Sequence, residues 1–173
     1  MKALEVARYF LFLARRVDAG DTFSNLKIQK MLYYAQGYSL ALRHKPLFDE
    51  RIEAWENGPV VREVYREFKH YSNNSISFDE LDSFNTDSFK DDKEILDILI
   101  LIFNKYGSMG AWKLRNKTHS EDPYLKSYSP NLNNEIPQNL IEEFFQKELD
   151  REALKLEIKR TFDEDLKKYG FIK

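Results

Sequence analysis

The apolar residues of this chain recur mostly at steps of three and four positions, which is the spacing of amphipathic helices. The first such run covers residues 3–18 and comprises Val6, Phe10, Leu13 and Val17. A second run, from about residue 25 to His44, follows Ser24, whose hydroxyl suits a helix N-cap. Apolar residues lie on most sides of this second helix, so we expect it to be largely buried around a narrow polar stripe.

Residues 94–106 are apolar almost all round the helix, which predicts the central helix of the core. Asp91 or Asp92 precedes this helix as a cap, and Gly107 follows it as a terminator. The remaining predicted elements are a helix at 109–116, loops at 117–124 and 131–135, and a helix from Pro137 onwards.

Two short extended runs, residues 47–48 and 52–55, predict a small β-hairpin with its turn at residues 49–51. Gly58 and Pro59 then precede another helical pattern, and proline suits the first position of a helix. The predicted fold class is therefore mainly α: a compact helical domain with a central apolar helix and one small β-hairpin.

The length and composition fit one domain of this kind. A chain of 173 residues with 42% hydrophobic and 32% charged residues is typical of a soluble globular protein. We expect residues 1–148 to form the domain. We expect residues 149–173 to form a charged helical extension that either packs on the domain or binds a partner.

The sequence disfavours disulfides, metal sites and membrane-spanning segments. Cysteine is absent, which excludes disulfides and thiolate metal sites. The three histidines, His44, His70 and His119, show no ligand spacing, so we expect neither a metal nor another cofactor. Arg8 and Arg15 interrupt the first apolar run, and no run is long enough to span a bilayer. We therefore expect a cytoplasmic protein without membrane contact.

Charge is unevenly distributed although the net charge is only −2. Residues 1–45 are basic, whereas residues 79–94 are acidic. This asymmetry could steer association with a charged partner, or it could reflect two differently solvated faces. The acidic net charge and the lack of a base-reading motif make nucleic acid an unfavoured partner.

Three stretches, taken in order, resemble one known family. The first is LKIQKMLYYAQG at 26–37, continuing to PLFDE at 46–50. The second is IEAWENGPVV at 52–61 with YREF at 65–68, and the third is LRNKTH at 114–119 with DPY at 122–124. Together these stretches resemble the Panacea domain of phage-associated and bacterial antitoxins, over roughly residues 4–147. Tyr124 departs from the family, which often has tryptophan there, and we expect this change only to soften a contact.

The resemblance implies an antitoxin that neutralises a toxin, encoded nearby, by direct protein–protein binding. One similar protein acts instead as a proteolytic adaptor that delivers its toxin to a protease. A nucleic-acid-binding protein that regulates its own operon, through the basic N-terminal helices, is a further alternative.

The residues expected to contact a partner are Gln29, Lys30, Tyr33, Trp55, Asn57, Gly58, Pro59, Tyr65, Thr118, His119, Phe162 and Leu166. Gln29, Lys30 and Tyr33 are polar or half-polar in a buried helix, where they could instead bond within the protein. The stretch from Trp55 to Pro59 could present the free N–H groups of a helix start to an acidic group. Alternatively, it is a structural corner that needs a glycine for backbone freedom.

His119 and the C-terminal extension each allow two interpretations. His119 could serve a hydrolytic enzyme as an acid–base group, but no nucleophile accompanies it, so no catalytic residue is assigned. The alternative is a capping cluster in which Thr118 and Asp122 hold the loop. Phe162 and Leu166 of the extension either pack on the domain or contact a partner or a second subunit.

Overall fold

The computed structural model describes residues 1–17 and 23–149 and is mainly α-helical, as the sequence predicts. The α-helices are α1 (Ala3–Arg16), α2 (Asn25–Arg43), α3 (Arg62–Phe68), α4 (Asp87–Lys90), α5 (Lys93–Tyr106), α6 (Ala111–His119), α7 (Asp122–Ser127) and α8 (Gln138–Glu148). The strands are β1 (Ile52–Trp55), β2 (Gly58–Val61) and β3 (Asn134–Glu135), and 3-10 turns cover Lys69–Tyr71 and Phe78–Leu81. The predicted C-terminal extension, with Phe162 and Leu166, lies outside the described residues.

Helix α2 is buried along nearly all of its length, as expected, and contacts α1, α3, α5, α6, α8 and β2. The Ser24 hydroxyl accepts a hydrogen bond from the Lys27 amide at 3.4 Å, which confirms the predicted N-cap. Helix α8 packs closely on α2 because Gly37 has no side chain: the ring of Phe145 occupies the space that a Cβ would need. Several helices and one strand therefore pack against different faces of α2.

Helix α5 contributes a second core layer against α1 and α2. Its buried residues are Ile95, Leu96, Ile98, Leu99, Ile100, Leu101, Ile102, Phe103 and Tyr106. Asp92 caps the helix, since its carboxylate accepts a hydrogen bond from the Ile95 amide at 3.1 Å. Both the core position and the cap were predicted from the sequence.

The predicted hairpin was placed wrongly. Strand β1 pairs with β2 in an antiparallel register that matches Ile52 with Val61, and β3 pairs with the other edge of β1. Residues 47–48 form no strand because the Gln36 side chain of α2 accepts hydrogen bonds from both of their amides, at 2.8 and 3.2 Å. The same side chain donates to the Phe48 carbonyl at 3.0 Å, so these backbone groups need no strand partner.

The helix predicted to start at Pro59 starts later, at Arg62. Pro59 lies in β2 opposite Ala54, and the β1–β2 turn consists of Glu56 and Asn57. No helix N-terminus is present at residues 58–59 to receive an acidic group. The alternative prediction, a hairpin-to-helix corner, is right about glycine, because Gly58 has a φ of 93°, but the corner is the β1–β2 turn itself.

The predicted loop at 117–124 is mostly helical. Helix α6 continues to His119, and α7 begins at Asp122 with proline in its first turn. The Thr118 hydroxyl donates to the Arg115 carbonyl at 2.8 Å within α6, and Asp122 pairs with Lys126 at 2.8 Å within α7. The predicted capping cluster is therefore wrong, because both side chains are satisfied inside their own helices.

Candidate protein-binding site

A cleft of about 360 Å³ opens beside the β1–β2 turn. We call it the aromatic cleft; it is lined by residues that include Gln29, Trp55, Asn57, Tyr65, Lys69 and Trp112. The rings of Trp55 and Tyr65 meet edge to face with centroids 4.9 Å apart. Trp112 is 64% exposed and Tyr65 is 38% exposed, so this cleft presents large aromatic surfaces to solvent.

Helix α2 supports the turn from beneath with two buried polar side chains. Gln29 accepts a hydrogen bond from the Val61 amide at 2.8 Å and donates to Asn25 at 3.0 Å. The Lys30 ammonium donates to the Pro59 carbonyl at 2.9 Å. In this structure both side chains hold β2 in place through bonds within the protein.

Helices α6 and α7 hold the turn from a second side. Arg115 donates to the Glu56 carbonyl at 3.3 Å, and the Tyr124 hydroxyl donates to the Trp55 carbonyl at 2.9 Å. A Cβ built on Gly58 would lie 2.9 Å from Thr118 Oγ1, so only glycine fits between strand and helix. Tyrosine at position 124 thus adds a hydroxyl hydrogen bond to this contact.

Trp55 is oriented by an ion pair on its own face of β1, because the side chains of residues 53 and 55 point to the same side of the strand. Its indole N–H donates to Glu53 at 2.7 Å, and Arg62 donates twice to the same carboxylate at 3.0 and 2.7 Å. Burial would raise the pKa of Glu53, but the hydrogen bonds from Arg62 and Trp55 bring it below its ordinary value. A carboxylate fixed in this way restricts the tryptophan ring.

Comparison with known proteins identifies the family. Residues 28–124, more than half of the chain, match the family described as Antitoxin SocA-like, Panacea domain. The chain belongs to this family. Antitoxin SocA of Caulobacter vibrioides (strain NA1000 / CB15N) is 39% identical to it over 84 residues, which are 46% of this chain and 44% of that relative. The chain thus matches less than half the length of this curated relative, and no solved structure matches it.

The Panacea match includes the whole β1–β2 turn and its supports. It begins at Ile28 in α2 and ends at Tyr124, whose hydroxyl holds the Trp55 carbonyl. Helix α1 and helix α8 lie outside the matched range. The region that the family shares is therefore the region that positions the aromatic cleft.

The predicted contact residues of the Panacea domain lie in different surroundings in the structure. Gln29, Trp55, Asn57 and Tyr65 come together in the aromatic cleft. Lys30, Gly58, Pro59 and Thr118 are buried beneath the turn. Tyr33 lies elsewhere, buried in the core among Tyr34 and Phe145, where burial and the neighbouring Glu121 raise its pKa well above the ordinary value.

His119 occupies a cationic environment next to the turn. Its ring packs on Tyr124 with centroids 4.3 Å apart, and its buried Nε2 has no hydrogen-bond partner. Burial, Arg115 and Lys30 together lower the pKa of His119 to about 4. Such a ring is neutral at pH 7 and is a weak base, which is unfavourable for the acid–base interpretation.

Sequence reasoning missed Trp112 and Arg115 of α6. Trp112 is two positions before the buried Leu114, so helical spacing already places it away from the apolar face. Trp112 lines the aromatic cleft, and the guanidinium of Arg115 lies beside it, 5.9 Å from the Trp112 ring centroid. The sequence shows the helical spacing of Trp112, but it does not show that Arg115 lies next to Glu56.

Among the described residues, no group of three or more histidine and carboxylate side chains could hold a metal ion. In the described part of the chain, no helix is both long and apolar enough to cross a membrane.

Proposed function

We propose that this protein is an antitoxin that neutralises a toxin, encoded nearby, by binding it directly through the aromatic cleft. The observation that carries the proposal is an aromatic surface, formed by the exposed Tyr65 and Trp112 and the half-buried Trp55, in a chain of an antitoxin family. Tryptophan, tyrosine and arginine dominate the binding energy of protein interfaces. Exposed apolar patches of this kind mark interaction sites.

The support beneath the turn favours tight binding. Bonds from Lys30, Arg115 and Tyr124 fix the backbone of the turn before any partner arrives. A preorganised surface loses less conformational entropy on association, so more of the contact energy appears as affinity. In this mechanism the bound antitoxin covers the active site of the toxin or its access to a target, and no catalytic residue is required.

Co-expression with the product of the neighbouring gene tests the proposal. We expect that product to arrest growth alone, and growth to recover when the present chain is co-expressed and co-purifies with it. Trp112→Ala should weaken the complex by about 30-fold, since truncating an interface hot spot costs about 2 kcal/mol. The melting temperature of the free protein should not change, because this side chain is mostly exposed.

Leu125→Ala provides a matched control. Leu125 is 56% exposed on α7 but does not line the aromatic cleft, so its truncation should leave the affinity unchanged. The proposed function is wrong if the neighbouring product is harmless alone or stays toxic in the presence of this chain. The proposed surface is wrong if Trp112→Ala binds as tightly as the wild type.

A further inference from the structure

Three basic side chains, Lys30, Arg115 and His119, lie beneath and beside the β1–β2 turn. We call them the basic cluster; Arg115 carries its permanent positive charge. Lys30 has no exposed surface, and its ammonium bonds only the Pro59 carbonyl. Arg115 Nε and His119 Nε2 are buried and have no hydrogen-bond partner. Among the described residues, no carboxylate lies within ion-pair distance of Lys30 or Arg115.

Other partly buried arginines of the described chain are compensated. Arg8 pairs with Glu67 at 3.2 Å, Arg43 pairs with Asp92 at 2.9 Å, and Arg62 pairs with Glu53 at 2.7 Å. Arg115 bonds only neutral acceptors, the Glu56 carbonyl and the Asn116 side chain. Lys30 is withdrawn from water without a counter-ion, which is costly, and the half-buried Arg115 beside it has no ion pair, so the basic cluster favours the approach of an anion.

The position of Arg115 shows where that anion would come from. Its guanidinium lies beside Trp112 and bonds the backbone of Glu56, and both of these residues line the aromatic cleft. A partner seated in the cleft would therefore bring its own side chains to this guanidinium. The planar fork of arginine suits two parallel hydrogen bonds to a carboxylate.

We propose that Arg115 receives an acidic side chain of the toxin, which supplies the counter-ion that the basic cluster lacks in the free antitoxin. This inference rests on the proposed function and names the chemistry of the partner at that same cleft. A protein carboxylate is favoured over a nucleic-acid phosphate because aromatic side chains surround the position and the chain has a net charge of −2. The toxin carboxylate would face Glu56 at the same rim, so Glu56 opposes the contact.

Proton uptake should accompany the contact. Burial and the nearby Arg115 charge lower the pKa of Lys30 to about 7, so this amine is partly neutral at pH 7 to 8. The other titratable group that acts on it is His119, whose pKa is lowered to about 4. An arriving carboxylate would neutralise the effect of Arg115 and favour the protonated form of Lys30. Binding at pH 8 should then take up part of a proton.

Isothermal titration calorimetry of the purified neighbouring gene product with the full chain tests the inference. We expect Arg115→Gln to weaken binding by about 30-fold or more and to flatten its salt dependence, and Arg115→Lys to restore part of both. Glu56→Gln should strengthen binding by removing repulsion. Lys113→Gln, at an exposed position of the same helix, should change affinity less than about 3-fold.

Titrations of the wild type at pH 8, in buffers of different ionisation enthalpy, measure the number of protons taken up on binding. This measurement does not depend on any variant. Proton uptake that disappears in Lys30→Met supports the inference, and the absence of uptake in the wild type overturns it. If wild type binds and Arg115→Gln keeps its affinity, or loses affinity with an unchanged salt dependence, the inference is wrong while the proposed function stands. If wild type does not bind, the proposed function is wrong as well.

A nucleic-acid phosphate is the competing source of the anion. A gel shift with the upstream DNA of the operon distinguishes it from a toxin carboxylate. Loss of DNA binding in Arg115→Gln, with toxin binding intact, would overturn the inference.

Discussion

Lys30 lies in the middle of α2, has no access to solvent, and bonds a backbone carbonyl of β2. A buried ammonium group is unfavourable unless it is paired, and the nearby Arg115 charge further disfavours the protonated form of Lys30. The bond to Pro59 therefore fixes the position of the turn, but burying the ammonium group lowers the stability of the fold. Such a cost is common where a polar group serves binding.

The Lys30 ammonium makes stability depend on pH. Its pKa is lowered to about 7 in the folded protein, mainly by burial, from an ordinary value of 10.5. Between these values the unfolded chain binds a proton that the folded chain does not, so the free energy of unfolding rises as pH rises from about 7 to about 10. Lys30→Met should lose this contribution, up to about 1.4 kcal/mol per pH unit, in urea denaturation.

Two comparisons make the measurement specific. Burial lowers the pKa of Lys27 to about 8. In Lys30→Met, Lys27 should therefore preserve part of the rise of the free energy of unfolding with pH. Lys113→Met, at an exposed position of α6, should retain the full wild-type profile. Stability curves of Lys30→Met and wild type that run parallel from pH 7 to 10 would contradict the assignment to Lys30.

The β1–β2 turn depends on supports from three helices that are far from it in the chain. Arg115 lies 59 residues from Glu56, and Tyr124 lies 69 residues from Trp55. The backbone of Gly58 fits between Lys30 and Thr118 only because it has no side chain, and its φ of 93° is strained for other residues. The turn is therefore sensitive to a single added carbon atom.

Gly58→Ala should lower the free energy of unfolding by about 2 kcal/mol or more, because a left-handed φ is strained and the added Cβ contacts Thr118. It should also weaken toxin binding, since Trp55 and Asn57 move with the turn. Gly110→Ala is the matched control: that glycine has an ordinary φ of −65°, and nothing lies within 4 Å of an added Cβ. Equal chemical-denaturation midpoints for the two variants would show that the turn is not so constrained.

Half of the eight basic residues at positions 1–45 are paired or buried within the fold. Arg8 pairs with Glu67 and Glu80, and Arg43 pairs with Asp92 and Glu94. Lys27 and Lys30 of the same basic region are buried. The basic N-terminal helices therefore face part of the acidic segment, which leaves less positive surface for nucleic acid than the sequence suggests.

Arg43→Gln should lower the free energy of unfolding by about 1 kcal/mol at low salt, because two carboxylates lose their partner at the end of α2. The loss should shrink in 1 M salt as the remaining charges are screened. Arg51→Gln removes a mostly exposed pair with Glu135, so we expect a change within about 0.5 kcal/mol. A loss in Arg43→Gln that does not depend on salt would mean that packing, not charge, is responsible.

Local signals in the sequence predicted the helices well. The apolar spacing of α2 and α5 and the caps Ser24 and Asp92 were read correctly, because helical hydrogen bonds and caps join residues three or four positions apart. The resemblance of the three stretches to the Panacea domain is confirmed by the family match over residues 28–124. The mainly α class and the family thus follow from local pattern and motif.

Distant polar groups determined the rest. The sequence of residues 47–48 is typical of a strand, but the Gln36 amide satisfies their backbone groups. The sequence places Lys30 beside a polar stripe, but in the structure its ammonium is buried and bonds the Pro59 carbonyl. Trp112 joins the cleft, and Arg115 contacts the turn beside it, only because α6 packs on β2. Periodicity shows which side of an element is apolar. Only tertiary packing shows which distant donor or acceptor satisfies each buried polar atom. Tertiary packing therefore also decides which side chains remain free to contact a partner.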